Sequence, residues 1–72
     1  SLDNQVTTEI ESSILDIQNL TALVVTHKLN ENILKKYDRI LFMKAGVIVE
    51  DGSFGDLMDR RGEFYKLFEL SV

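Results

Sequence analysis

Two short stretches of this chain carry residue types capable of chemistry. Thr26-His27 follows the apolar run Leu23-Val24-Val25, and Ser1-Leu2-Asp3 stands immediately before an amphipathic stretch. An imidazole titrates near neutrality and can donate a hydrogen bond to an anionic group. An aspartate at a helix entrance can cap it or present its carboxylate to a partner. His27 is the only histidine among the 72 residues, and there are no cysteines. Motifs that need two imidazoles are therefore excluded, as are disulfides and a cysteine-built zinc site. No Ser/His/Asp set is apparent. The glycines at 46, 52, 55 and 62 fit neither G-x-x-x-x-G-K-[ST] nor G-x-G-x-x-G, the glycine-rich patterns that cradle phosphates. Glu50-Asp51 is a weak metal pair and reads better as a solvated strand end. From spacing alone the plainer readings prevail: His27 starts a loop and Asp3 caps a helix.

The elements that must position these residues follow from periodicity. Val6, Ile10, Ile14 and Ile17 recur at helical spacing, which predicts an amphipathic helix over 4–18. Thr8 and Glu11 have capping-box spacing, Asp3 or Asn4 could cap an earlier start, and Asn19 is a suitable stop. The continuous run within 21–27 predicts a strand buried on both faces of a parallel sheet. Its C-terminal end, where His27 stands, is where open α/β sheets bind ligands. A short helical turn over 28–36 is capped by Asn30, with Leu29 and Leu34 spaced as a hydrophobic staple. Residues 38–44 and 47–51 read as strands joined through Ala45-Gly46, a spacing that permits only an antiparallel hairpin. Ser53 and Asp56 open a further helix, Gly62 breaks it, and a last helix turns Phe64, Leu67 and Phe68 inward. The order helix, strand, helix, hairpin, helix, helix is α/β in character.

Composition narrows the function classes. Twelve acidic against eight basic residues give a formal charge of −4. The basic residues occur as pairs at most, at Lys35-Lys36 and Arg60-Arg61, which argues against a nucleic-acid binder. The apolar run Ile40-Leu41-Phe42-Met43 falls far short of the ~20 residues of a membrane span, and no signal-peptide pattern opens the chain. The chain is expected to be soluble. Beginning at Ser1 rather than Met, it is also expected to be a piece of a longer one. At this size a core buries only about 60% of the unfolded chain's surface, so stability is marginal.

Taken together, the ordered residues resemble the ATPase domain of ATP-binding-cassette transporters. Leu2-Asp3 before an amphipathic helix resembles the D-loop, and Val24-Val25-Thr26-His27-Lys28-Leu29 resembles the switch-histidine loop. Asp38-Arg39-Ile40-Leu41-Phe42-Met43 and Gly46-Val47-Ile48-Val49-Glu50-Asp51-Gly52-Ser53 resemble the strands and turn that follow it. Asp56-Leu57 and Phe64-Tyr65-Lys66-Leu67 resemble the terminal helices, particularly of exporter-type members. Essentially the whole chain is covered in order. It departs from the pattern at Lys28, where Arg is common, and at Phe54, where a histidine is often found.

The resemblance implies a fold and a set of roles. The fold is the C-terminal part of a P-loop NTPase (RecA-like) sheet with flanking helices and a terminal β-hairpin, incomplete on its own, with residues 1–72 running from D-loop to C-terminal helices. His27 is implied to donate a hydrogen bond to the γ-phosphate of ATP in the full domain, a charge-assisted bond of about 1.5–3 kcal/mol. Asp3 is implied to communicate across a dimer of ATPase domains. ATP and Mg²⁺ belong to the full-length parent, since the family's phosphate-binding loop and its Mg²⁺-binding and catalytic acids lie upstream. The separate chain is expected to neither hydrolyse ATP nor bind it tightly. Implied partners are the remainder of its own ATPase domain, a second ATPase domain and transmembrane domains, at the cytoplasmic face of the membrane. The family's P-loop strand is expected between the strand ending at His27 and the strand at 39–43. Alone, the chain should therefore pair those strands directly, associate with another copy, or stay partly disordered. The alternative is a free-standing α/β protein-interaction module without ATPase activity.

Overall fold

The structure, a computed structural model, describes residues 4–71. Its elements run α1 (Asn4–Leu15), α2 (Glu31–Leu34), β1 (Ile40–Lys44), β2 (Val47–Gly52), α3 (Phe54–Arg60) and α4 (Glu63–Ser71). Local sequence explains most boundaries. The Asn30 side chain accepts the Ile33 N–H at 3.3 Å and so starts α2. Ser53 and Asp56 form a reciprocal capping box at the start of α3, each side chain bonded at 3.1 Å to the other's backbone N–H. α3 ends at Arg61, whose backbone is left-handed (φ 53°) and whose guanidinium lies 5.5 Å from the centre of the Tyr65 ring.

β1 and β2 form an antiparallel hairpin turned by Ala45 (φ 53°) and Gly46 (φ 78°). Two consecutive positive φ values match the right-handed twist of the strands, and the glycine adopts its value without cost. Phe42 opposes Glu50 while Met43 opposes Ile48, so a bulge leaves Val49 without a partner.

The core lies between the inner face of the hairpin and the two C-terminal helices. Leu34, Phe54, Leu57, Phe64 and Phe68 are buried together, with Leu29, Tyr37, Ile40, Phe42 and Met58 packed around them. All four phenylalanines meet there. Phe64 contacts Phe42 edge-on at 5.7 Å, and Phe54 contacts Phe68 edge-on at 5.3 Å. Such pairs contribute about 0.5–1.5 kcal/mol each beyond the area they bury.

Three expectations about the elements require correction. Among the described residues the sheet has two strands, and residues 21–27 form none. A strand is held by a ladder of hydrogen bonds, and no partner strand lies beside this stretch among the described residues. Of the three outcomes expected for the separate chain, direct pairing of 21–27 with the strand at 39–43 is not seen among the described residues. The first helix stops at Leu15 rather than 18, because residues 16–19 turn and Asn19 takes a left-handed conformation (φ 61°). Leu67 is 42% exposed rather than inward. Phe64 and Phe68, four apart, define the buried stripe of α4, and Leu67 falls on its flank. What remains of the fold class is a small mixed α/β unit with one antiparallel hairpin and four helices among the described residues.

Candidate functional site

His27 sits in the irregular stretch between α1 and α2. Thr26 Oγ1 accepts the Lys28 N–H at 3.1 Å, so the imidazole is carried at the middle of a side-chain-closed turn. The side chain is exposed. It borders a cavity of about 1110 Å³ between the 14–29 stretch and β1, walled by Leu20, Leu23, Val25, Ile40 and Met43 among others. The walls are mainly apolar, with Lys28, Lys36 and Arg39 also lining them. The second sequence candidate, Asp3, lies outside the described residues, so the geometry between the two candidates is not part of this structure.

The residues around His27 do not make a nucleotide cradle. A phosphate site needs converging backbone N–H groups, usually on a glycine-rich turn at a helix start. All four glycines instead serve the hairpin and the α3–α4 region. Of the cations that line the cavity with His27, Lys36 is bonded to Ser12 and Asp16 and Arg39 is held by Asp51. Among the described residues, no three His, Cys, Asp or Glu side chains come together as metal ligands.

The ordered polar contacts lie elsewhere. Arg39 grips Asp51 with two bonds, Nε to Oδ1 at 2.8 Å and Nη2 to Oδ2 at 2.7 Å, which ties the open end of the hairpin. These bonds hold the Asp51 carboxyl below its ordinary value of 3.8. Lys44 Nζ bonds Glu63 Oε1 at 2.8 Å, joining the turn end of the hairpin to α4. α1 is attached by its polar side: the Tyr37 hydroxyl donates to Glu11, and Lys36 Nζ reaches Ser12 Oγ at 2.6 Å and Asp16 Oδ1 at 3.0 Å. Burial, followed by the bond to the Glu11 carboxylate, pushes the Tyr37 phenol well above its ordinary range.

One residue has a role that the sequence did not reveal. Glu50, expected to be a solvated strand end, is half-buried and its Oε2 accepts the Phe64 N–H at 3.0 Å. It therefore caps α4 from another element. The residue preceding α4 is Gly62, which has no side chain to do this locally. A glycine at a helix entrance with an acid on a nearby strand is the signal that could have pointed to it. Asp51, by contrast, is occupied by Arg39, so the Glu50-Asp51 pair does not act as one site.

No family model matches the chain, and no solved structure matches it. Characterised proteins do. The chain is 37% identical, over 71 residues and 97% of its length, to an ATP-dependent lipid A-core flippase of Syntrophus aciditrophicus (strain SB). It is 34% identical over the same share to the ATP-dependent lipid A-core flippase of Escherichia coli (strain K12). Over 53 residues, 71% of its length, it is 45% identical to the mating factor M secretion protein mam1 of Schizosaccharomyces pombe. The chain spans only 12% of each flippase and 4% of mam1. Two bacterial flippases and a yeast secretion protein are thus each similar to most of this chain. These likenesses are consistent with a fragment of an ATP-binding-cassette exporter.

Proposed function

We propose that this chain supplies the switch histidine and the D-loop of an exporter's ATP-hydrolysing domain, His27 being the first and Leu2-Asp3 the second. One observation carries the reading. Likeness to proteins named for ATP-dependent transport extends over 97% of the chain without being confined to a single motif. The cavity beside His27 supports it. Leu23 and Val25 are 88% and 93% exposed, and a strand from the rest of the domain would cover them while pairing with the open edge of β1.

In this reading ATP and Mg²⁺ are held by groups of the parent protein outside this chain, and His27 is presented to them at the end of an apolar run. Asp3 faces a second ATPase domain, and transmembrane domains complete the assembly at the cytoplasmic side of the membrane. No described helix is long and apolar enough to cross a membrane. The separate chain neither hydrolyses ATP nor binds it tightly.

The test is reconstitution. The polypeptide encoded upstream of Ser1 in the same reading frame, mixed with this chain, should regain ATP hydrolysis. A His27→Ala chain should bind that polypeptide equally well and restore at most about 1% of the rate, the cost of removing one donor to a developing charge. Stoichiometric ATP binding by the chain alone in calorimetry would overturn the reading, as would an upstream frame without a glycine-rich lysine loop.

A further inference from the structure

We propose that Tyr37 and Lys36 are positioning residues of the candidate site: together they fix where α1, and Leu2-Asp3 ahead of it in the chain, stands relative to His27. The inference rests on the roles proposed above for His27 and Leu2-Asp3. Covalent connection does not set that placement. None of residues 18–29 gives or accepts a backbone–backbone hydrogen bond among the described residues. The polypeptide between α1 and α2 is therefore a tether and not a strut.

Side chains mounted on α2 set it instead. Asn30, which caps α2, stands three residues after His27, and Lys36 and Tyr37 stand just beyond its other end. Their backbone N–H groups still bond to α2, Lys36 to the Ile33 carbonyl at 2.9 Å and Tyr37 to the Leu34 carbonyl at 3.3 Å. Ile33 and Leu34 are buried, and Tyr37 packs against the core cluster, so both donors rise from a fixed base. Leu29, two residues after His27, packs against the same cluster. The turn that carries His27 and the residues that hold α1 are thus referenced to one core.

α1 meets them with one stripe. Its partly covered positions are Thr7, Thr8, Glu11, Ser12 and Leu15, neighbours at i, i+3 and i+4 and mostly polar. Glu11 accepts the Tyr37 hydroxyl in a charge-assisted bond, while Lys36 Nζ reaches Ser12 and Asp16. From Glu11 to Asp16 this clasp spans roughly 7.5 Å of helix axis, which resists pivoting. Asn4, where α1 begins, lies about 10 Å from Glu11 along the axis in the other direction. A tilt of ~10° about the clasp would therefore swing the helix entrance by roughly 2 Å. At a group that must meet a reacting partner such a shift is costly, since about 1 Å of misplacement can slow a reaction roughly a hundredfold.

Tyr37→Phe keeps the ring and removes only the hydroxyl, so it tests the bond rather than the packing. In the assembly of this chain with its upstream polypeptide, Tyr37→Phe should lower kcat for ATP hydrolysis roughly tenfold, with KM for ATP unchanged. Glu11→Gln, whose amide oxygen still accepts the phenol proton, should stay within about threefold of the native rate. Glu11→Ala should match Tyr37→Phe, and the two together should be no slower than either, because they remove the same bond. A merely structural role would appear instead as a lower urea midpoint with the rate per folded assembly unchanged. The placement itself has a readout free of ATP. The chain has no cysteine of its own, so spin labels can be attached through Gln5→Cys on α1 and Glu69→Cys on α4. Their distance distribution should broaden or shift by about 2 Å when Tyr37→Phe and Lys36→Met are combined. An unchanged distribution, a kcat within about twofold of native for Tyr37→Phe, or additive losses in the double variant would overturn the proposal. A native chain that restores no hydrolysis would overturn the roles of His27 and Leu2-Asp3 on which it rests, and the label distances would show separately whether the clasp holds α1.

Discussion

Residues 4–29 and residues 31–71 are both rich in aliphatic side chains, yet they treat them oppositely, and every phenylalanine and tyrosine of the chain lies in the second region. In the second region Leu57, Phe64 and Phe68 are 0%, 2% and 3% exposed, locked between a hairpin and two helices. In the first, Ile10, Ile17 and Leu20 are about half exposed, and α1 is attached mainly by polar contacts from Tyr37 and Lys36. Leu29 alone of this region packs against the core cluster. The difference is one of partners as well as of residue type, since the phenylalanines of the second region pack on one another. The C-terminal region brings its own opposing surfaces within some thirty residues. The N-terminal region has an apolar face and an apolar strand-like run whose opposing surfaces are not in the described residues.

The contrast can be broken most severely in the core. Phe64→Ala removes a ring that touches Phe42, Phe54 and Phe68, and should cost about 3–5 kcal/mol. In a chain of this size that unfolds the hairpin–helix unit, visible as loss of the cooperative urea transition. Ile10→Ala, at a 48% exposed site, should shift the same transition by less than about 1 kcal/mol. Equal shifts would mean that α1 is as much a part of the core as α4.

A smaller change sharpens the contrast from the stable side. Ala45 holds a left-handed backbone that costs an alanine about 1 kcal/mol or more, and it precedes Gly46 in a turn suited to Asn-Gly. Ala45→Asn should raise the urea midpoint by an amount equivalent to ~1 kcal/mol, while hydrogen exchange in α1 stays unaltered.

The smallest effect is with acid. Asp51 and Asp56 are both held below their ordinary value of 3.8, Asp51 first by its bonds from Arg39 and Asp56 first by the Ser53 backbone N–H. A carboxyl whose value is lower in the folded state contributes stability that is fully present above the ordinary value. That contribution is lost as pH falls through the lowered one. Exchange of the Ser53 and Asp56 amides should therefore quicken below about pH 4. High salt at neutral pH should weaken the exposed Arg39–Asp51 pair and leave the capping box intact.

How much was legible depended on how local the cause was. The Ser53–Asp56 box, the Asn30 cap and the Ala45-Gly46 turn each need only a few neighbouring residues, and each is present as read. The stretch at 21–27 carries strand chemistry, but a strand exists only when something pairs with it, and the sequence of one member says nothing of the other. The placement of His27 at the end of that run was legible, whereas its surroundings were not, since they come from β1 and α1. Glu50 was misread for the same reason. Its neighbours in sequence suggest solvent, while its neighbour in space is a helix that begins thirteen residues later.

That helix entrance also limits how the sequence can drift. A methyl group placed on Gly62 would lie 2.8 Å from Glu50 Oε2, the far end of a flexible side chain, so an alanine there would push the carboxylate away from the Phe64 N–H that it accepts. Residues 50 and 62 are thereby coupled: what a side chain at 62 costs depends on how far the acid at 50 must move to make room for it.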